Sequence, residues 1–367
     1  MSAASGTNDG AGRGTTLIAG ALGVVGRAVL EQVEGAGRSA IGLSRRQPDF
    51  ETSARFISVD LTDRAACLAQ LTDLEQVTHL VYAAVYEKPD IARGWTDPEH
   101  VRTNLAMLSN LVEVLEQRAP NLQHITLMQG TKAYGIHMGP FRLPAREDDP
   151  RYMTPNFYYD QQDWLTARQL GKRWTWTVLR PQLVCGFALG SPMNIIAGIG
   201  AYAVICRELG LPLRFPGGEP RTIELTDAAL LARSIDWAGD ADSARNNIFN
   251  VTNGDVFVFA HFWQRIAGCF SMPTDVPHPH SLARSMADKE AVWQRIVARH
   301  GLRPTTLAEL VPSWSFIDYS LGHGSRPNDV ILSTIRIRQA GFGDCIDSEE
   351  MFLGWLTRLQ AEGILPR

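Results

Sequence analysis

The chain has 367 residues, of which 45% are hydrophobic and 20% charged, and its 35 basic and 39 acidic residues leave a net charge of −4. These values are typical of a globular protein with a large core and about two domains, and they give no electrostatic support for nucleic-acid binding. The longest apolar stretch, from Met193 to Cys206, is too short to span a bilayer.

Cysteine usage and the first residues bear on where the protein works. The five cysteines are far apart and form neither a CxxC pair nor a zinc spacing. This pattern favours free thiols in a reducing compartment and predicts no metal site. Residues 1–14 are small and polar and lack the apolar segment of a signal peptide. We therefore expect a disordered tail on a cytoplasmic protein.

The first predicted element is an apolar strand, Thr16–Ala19, which runs into a glycine-rich turn. Apolar residues recur at helical spacing after the turn. A strand that turns on glycines into a helix gathers backbone N–H groups and a positive helix end at one point, which suits a pyrophosphate. An ordinary glycine-rich turn is the alternative. The predicted cofactor contacts here are Gly20, Leu22, Gly23, Val24 and Val25, with Gly26 packing the helix on its strand.

Strands and helices alternate through the first half of the chain. Further strands are predicted at 39–44, 55–60, 79–84, 124–128 and 174–181, and helices at 62–71, 97–118 and 159–170, the first of them capped by Thr62. This alternation predicts an α/β fold, a doubly wound parallel sheet of Rossmann type, with ligands at the carboxyl ends of the strands. We predict a Rossmann domain at 15–190 and a smaller, mostly helical substrate lobe at 191–367, with a strand near 247–251 that returns to the sheet.

The end of the second strand predicts which dinucleotide is bound. It reads Ser44-Arg45-Arg46, where an NAD site usually has an acidic residue for the ribose hydroxyls. Two guanidinium groups there suit a 2′-phosphate and so favour NADP(H), although a solvated arginine pair is the alternative. Other contacts are predicted at the next two strand ends: Asp60 and Leu61 beside the adenine, and Ala83 and Ala84 beneath the adenine-side ribose.

The usual catalytic pair of short-chain dehydrogenases, a tyrosine with a lysine four residues later, is absent. Tyr158 is followed at that spacing by Gln162, and Tyr159 by Asp163. A member of that group with its ordinary pair is therefore excluded.

Several segments carry a more specific similarity: 130–135 (Gly-Thr-Lys-Ala-Tyr-Gly), 139–141, 156–163 (Asn-Phe-Tyr-Tyr-Asp-Gln-Gln-Asp), 180–181 and 249–257. With them the chain resembles the progesterone 5β-reductase/iridoid synthase family, an atypical branch of the short-chain dehydrogenases, over about residues 15 to 365. It departs from the plant pattern at Gln161-Gln162, where Leu-Glu is common, at Ala133, where His is common, and at Gln182. These departures put the plant substrates in doubt.

The resemblance implies NADPH-dependent reduction of the C=C bond of an α,β-unsaturated carbonyl. It implies Tyr158 as the catalytic tyrosine and Lys132, from the earlier Gly-x-Lys segment, as its lysine. It also implies cofactor contacts at Gln129, Gly130, Pro181 and Val184, the last two on the nicotinamide side. Candidates for the substrate pocket are Phe141, Met193 and Phe342, each of which fits an ordinary core position equally well.

Other functions remain open at this point. A 1,2-carbonyl reductase or a sugar-nucleotide epimerase is built on the same fold, but the epimerases need the missing tyrosine–lysine spacing. A non-catalytic NADP-sensing protein needs neither Tyr158 nor Lys132. The partner we expect is a small enone or enal, with pairing to a second copy of the chain left open and with no nucleic acid and no membrane.

Overall fold

The computed structural model describes residues 14–87, 97–303, 305–324 and 328–367. Seven parallel strands form one sheet in the order β3-β2-β1-β4-β5-β6-β9, and β7 pairs with β8 in a small second sheet. The strands are β1 Thr15–Ala19, β2 Ala40–Leu43, β3 Arg55–Ile57, β4 Val77–Tyr82, β5 His124–Met128, β6 Thr175–Pro181, β7 Val184–Cys185, β8 Thr226–Asp227 and β9 Asn247–Val251.

The helices connect these strands and make up most of the chain after residue 190. They are α1 Val24–Gly35, α2 Arg64–Gln70, α3 Pro98–Arg118, α4 Phe157–Gln169, α5 Ile195–Glu208, α6 Ala228–Asp240, α7 Phe259–Cys269, α8 Leu282–Ser285, α9 Glu290–His300, α10 Leu307–Leu310, α11 Trp314–Ser320, α12 Ile335–Gln339 and α13 Ser348–Ala361. Among the described residues no helix combines the length and apolar character needed to cross a membrane.

The sheet is covered on both faces, as an all-parallel sheet requires. One face packs with α1 and α6, through residues such as Val29 and Leu231. The other packs with α3 and α4, through residues such as Leu111 and Leu165. A separate core joins α5, α7 and α13 in the C-terminal half. The predicted fold class, a Rossmann-type sheet with a mostly helical C-terminal part, is confirmed.

Two details near the sheet's edge differ from the sequence expectation. The third strand ends at Ile57, because its partner β2 ends at Leu43 and leaves the following residues without a neighbour. The helix that follows is capped by Asp63 and not by Thr62, whose backbone N–H and hydroxyl bind the Asp60 carboxylate instead.

Two predictions on domain organisation, the N-terminal tail and the domain boundary, are not tested by the structure. The predicted tail, residues 1–14, lies outside the described residues except for Gly14. The boundary at residue 190 stays a prediction.

Candidate active site

The glycine turn after β1 is closed so tightly that side chains would not fit. Gly20 has a φ of 81°, and a Cβ there would lie 2.8 Å from the carbonyl oxygen of Ala83, while a Cβ on Gly26 would lie 2.2 Å from the carbonyl oxygen of Gly20. Gly23 precedes α1 and makes no side-chain capping bond. The first N–H groups of α1 therefore donate no hydrogen bond to a capping side chain at Gly23, which fits the binding of a phosphate group there.

The end of β2 carries its two arginines on the surface. The backbone N–H of Arg46 donates to Ser44 Oγ (3.1 Å), and its Nη1 donates to the carbonyl of Leu189 (3.1 Å). Arg45 is exposed, and its charge helps lower the pKa of Asp60 after the two hydrogen bonds from Thr62. Both arginines are exposed, and the guanidinium of Arg46 is anchored to the loop after β7.

The residues after the neighbouring strand β4 lie beside the glycine turn. Ala83 donates its backbone N–H to Ala19 (3.0 Å), which brings the residues after β4 against the glycine turn. Ala83 and Ala84 are half-buried. Leu61 is buried, and its carbonyl accepts from Asn110 (2.9 Å). Leu22 and Val24 are buried, whereas Val25 is half-buried.

Tyr158 reaches the carboxyl ends of β5 and β6. A Cβ built on Gly130 would lie 3.6 Å from the hydroxyl of Tyr158 and 3.5 Å from the carbonyl oxygen of Pro181. The hydroxyl is therefore close to the residues that follow two central strands, where Rossmann sheets bind ligands. Burial, reinforced by the charge of Glu87, raises the pKa of Tyr158, so the hydroxyl holds its proton as a hydrogen-bond donor.

Tyr159 points elsewhere. Its hydroxyl donates to the carbonyl of Ala133 (2.8 Å) and accepts from the backbone N–H of Tyr152 (3.3 Å), and its ring lies under the guanidinium of Arg151. Only 7% of Tyr159 is exposed. The second tyrosine of the pair is therefore used to hold the loop before α4.

One side chain ties Lys132 to the start of the tyrosine helix. Asn156, the N-cap of α4, accepts from the backbone N–H of Tyr158 (3.0 Å) and donates to the carbonyl of Lys132 (2.9 Å). Lys132 lies in a short 3₁₀ turn, Thr131–Tyr134, directly after β5. The two predicted catalytic residues, 26 positions apart in the chain, are thus joined through a single amide.

Two other ionisable groups, Glu87 and His137, lie near Lys132. Burial lowers the pKa of Lys132 to about 8, against the opposing effect of the Glu87 carboxylate. Burial and the charge of Lys132 lower the pKa of His137. Glu87 in turn lies 3.5 Å from Nε2 of the fully buried His100. Glu87 therefore influences both the lysine and the tyrosine.

The remaining predicted cofactor contacts, of which Pro181 and Val184 are those expected on the nicotinamide side, lie near the ends of β5 and β6 or in β7. Gln129 and Pro181 are buried, and the side chain of Gln129 bonds within the protein to Arg180 and to the carbonyl of Tyr158. Gly130 lies between the two strand ends. Val184 begins the small β7–β8 sheet and is half-buried.

The three pocket candidates occupy different surroundings. Phe141 is half-buried and stacks on Tyr134 with ring centroids 6.3 Å apart. Met193 is 37% exposed just before α5. Phe342 is buried against Trp237 in the core of the α1–α6 face, with centroids 5.7 Å apart. For Phe342 the structure agrees with the core alternative.

Sequence reasoning did not select Glu87, His137 or Asn156. Asn156 had a recognisable signal, because an Asn before a helix is a favoured N-cap. Glu87 and His137 carry no motif, and the influence of Glu87 on Lys132 depends on the packing of segments that are distant in sequence.

Solved structures share this fold over almost the whole chain. The Bordetella bronchiseptica enzyme WbmH in complex with NAD+ has a TM-score of 0.64 at 17% identity, with 95% of this chain and 99% of that chain covered. The UDP-glucose 4-epimerase of Thermotoga maritima has a TM-score of 0.66 at 14% identity, covering 94% and 99%. At these identities the similarities show that the chain shares the fold of these proteins.

Sequence comparison identifies the particular family. A family model described as a PRISE-like Rossmann-fold domain matches residues 60–310. The (S)-8-oxocitronellyl enol synthase of Camptotheca acuminata is 32% identical over 95% of this chain and 93% of its own length. The short chain dehydrogenase gsfE of Penicillium aethiopicum is 30% identical over 96% and 99%. The chain belongs to the PRISE-like family, which confirms the resemblance found in the sequence.

Proposed function

We propose that the protein is an NADPH-dependent reductase of the activated C=C bond of α,β-unsaturated carbonyl compounds. The observation that carries this proposal is the position of the Tyr158 hydroxyl beside Gly130 and Pro181 at the carboxyl edge of the sheet. The glycine turn, in which a Cβ on Gly20 or Gly26 would collide with backbone, fits the pyrophosphate of a dinucleotide at the same edge.

The residues have distinct roles in this reaction. The glycine turn with Arg45 and Arg46 would hold NADPH, which would supply the hydride for the β-carbon of the substrate. Negative charge then develops on the carbonyl oxygen, and the Tyr158 hydroxyl donates a hydrogen bond to it. The ammonium of Lys132 stabilises the same charge. A preorganised donor of this kind contributes roughly 3–4 kcal/mol to transition-state stabilisation. Protonation of the α-carbon completes a saturated carbonyl compound.

The names of the relatives agree with this chemistry. The plant relative is called an enol synthase. An enol is the protonated form of the enolate that a donor at Tyr158 would stabilise. We infer that this chain handles an intermediate of the same type, on a substrate whose identity its own pocket determines.

Product analysis separates this function from its alternatives. With NADPH and 2-cyclohexenone we expect cyclohexanone, formed in equal amount to the NADPH consumed. NADPH deuterated at the transferred position should place deuterium on the β-carbon. An allylic alcohol would indicate a 1,2-carbonyl reductase. Absence of NADPH consumption across a panel of enals, enones and steroids would favour an epimerase or a sensor.

Cofactor choice provides a second test. Because Arg45 and Arg46 stand at the end of β2, we propose that they bind the 2′-phosphate of NADPH, each with a charge-assisted contact worth about 1.5–3 kcal/mol. Replacement of both by Ala should weaken NADPH binding by at least tenfold and leave NADH binding nearly unchanged, as measured by quenching of tryptophan fluorescence.

A matched variant controls for the loss of surface charge. Arg64 is exposed and pairs with Glu113. Arg64→Ala should therefore bind both cofactors like the wild type. Equal affinity of the wild type for NADPH and NADH would contradict the assignment of Arg45 and Arg46.

The place of action we propose is the cytoplasm. The five cysteines are unpaired, and three of them, Cys67, Cys185 and Cys206, are buried. Unpaired buried thiols are typical of a reducing compartment. Pairing of two copies of the chain stays a prediction.

A further inference from the structure

The most unusual buried group near the site is a guanidinium. Arg180 lies in β6 directly before Pro181 and is only 4% exposed. A buried cation costs several kcal/mol in lost hydration unless hydrogen bonds compensate it. Among the described residues no carboxylate lies within ion-pair distance of Arg180. Its environment must therefore satisfy it through neutral acceptors.

Four neutral acceptors surround this guanidinium. Nε donates to Oε1 of Gln129 (2.9 Å), and Nη2 donates to Oε1 of Gln162 (3.1 Å). Nη1 donates to the hydroxyl of Tyr134 (3.2 Å) and to the carbonyl of Glu147 (3.3 Å). Arg180 therefore links β6 to the end of β5, to the 3₁₀ turn, to the following loop and to α4.

The chemistry of arginine fixes the orientation of Gln129. A guanidinium has donors only, so the amide oxygen of Gln129 must face it. The amide NH2 is then turned away from Arg180, and it donates to the backbone carbonyl of Tyr158 at 2.8 Å. Rotation of this amide would place its NH2 against the N–H donors of Arg180 and would remove the hydrogen bond to the Tyr158 carbonyl.

We propose that Arg180 and Gln129 are positioning residues that fix the backbone of Tyr158 and, through it, the place of its hydroxyl. Gln129 holds the carbonyl of Tyr158, and Asn156 holds its N–H (3.0 Å). In the first turn of α4, the backbone N–H and the backbone carbonyl of Tyr158 are therefore each hydrogen-bonded to a side chain. An error of 1 Å in the place of a reacting group can reduce a rate by about a hundredfold, which gives this support a function.

The charge of Arg180 also favours hydrogen-bond donation by the Tyr158 hydroxyl. It lowers the pKa of Tyr158 against the larger effect of burial, whereas the carboxylate of Glu87 raises it. A more acidic hydroxyl is a stronger hydrogen-bond donor to an enolate. The remaining charged group near Arg180 is the Glu147 carboxylate, which accepts from the backbone N–H of Asn250 (2.9 Å).

A double-mutant cycle tests this role, which rests on the proposed enone reduction. Gln129→Met removes the bond to the Tyr158 carbonyl, and kcat for 2-cyclohexenone should fall about tenfold while the KM for 2-cyclohexenone changes less than twofold. In a Tyr158→Phe background the same substitution should cause no further loss, because the positioned hydroxyl is already absent. Gln129→Glu keeps an acceptor for Arg180 but loses the donor to the Tyr158 carbonyl. If Gln129→Met folds poorly, Gln129→Glu takes its place in the cycle, with the same expected fall in kcat.

A glutamine remote from Tyr158, at the end of α4, serves as the control. Gln169 donates to the carbonyl of Trp174 (3.1 Å) at the far end of the helix. Gln169→Met should lower the melting temperature without changing kcat. Additive losses in the cycle, or an unchanged kcat in folded Gln129 variants, would overturn the positioning role. A wild type that does not reduce enones would instead contradict the proposed function.

Discussion

Tyr158→Phe is expected to reduce kcat for enone reduction by about 10²–10³-fold and to leave NADPH affinity unchanged. The substitution deletes the hydroxyl beside Gly130 and Pro181 and keeps the ring that packs on Phe157, with centroids 4.7 Å apart. Only the donor to the developing enolate is lost. Steady-state kinetics with 2-cyclohexenone, together with NADPH titration, measure both quantities.

The adjacent tyrosine provides the matched control for this prediction. Successive residues of a helix point about 100° apart, so the two rings cannot share one site. Tyr159→Phe removes a hydroxyl that is bonded to Ala133 and Tyr152, and it should cost about 1 kcal/mol of stability with little change in kcat. If Tyr159→Phe lowers kcat more than Tyr158→Phe does, the catalytic role belongs to the second tyrosine.

The sheet and its cofactor turn could be predicted because each depends on local sequence. The run His124–Met128 gives β5 with its observed bounds, since both faces of a central strand are buried and nearly every residue is apolar or small. The third strand was predicted too long, because an edge strand ends where its neighbour ends, and the bound of β2 is not visible in the sequence of β3. Local patterns determine which elements form, and pairing determines where they stop.

The candidate site was only partly accessible from sequence. Tyr158 and Lys132 were found through the resemblance to a family, because no spacing rule connects residues 26 positions apart. The choice between Tyr158 and Tyr159 becomes a physical one only when the hydroxyl of Tyr159 is seen bonded to Ala133. Glu87 follows the carboxyl end of β4 and influences the same two residues, but no local sequence pattern indicates this role.

The support around Tyr158 could not have been predicted at all. Arg180 contacts Gln129, Tyr134, Glu147 and Gln162, which lie on four separate segments of the chain. No local sequence pattern indicates that these residues share one partner. Their convergence depends on the order of β5 and β6 in the sheet and on the way α4 packs across them.

Lys132→Met is expected to lower kcat by at least tenfold while the fold and NADPH affinity are retained. Methionine keeps the length of the side chain and removes the charge that stabilises the enolate. Lys132→Arg should restore activity only in part, because a planar guanidinium does not replace a compact ammonium. Kinetics, the melting temperature and NADPH titration for the three proteins check this prediction. Undiminished activity of Lys132→Met would show that the ammonium of Lys132 is not required for the reaction.

The pH profile identifies the charge of Lys132 more directly. Burial lowers its pKa to about 8, so the ammonium is present below that pH and lost above it. Wild-type kcat should therefore be constant below pH about 8 and fall above it, whereas Lys132→Met should lack this alkaline limb. The Glu87 carboxylate raises the pKa of Lys132, so Glu87→Gln should move the limb to lower pH. Tyr158 cannot produce this limb, since burial raises the pKa of its hydroxyl above the ordinary value. A limb that stays in place in Lys132→Met would show that another group titrates there and that the ammonium of Lys132 is not required.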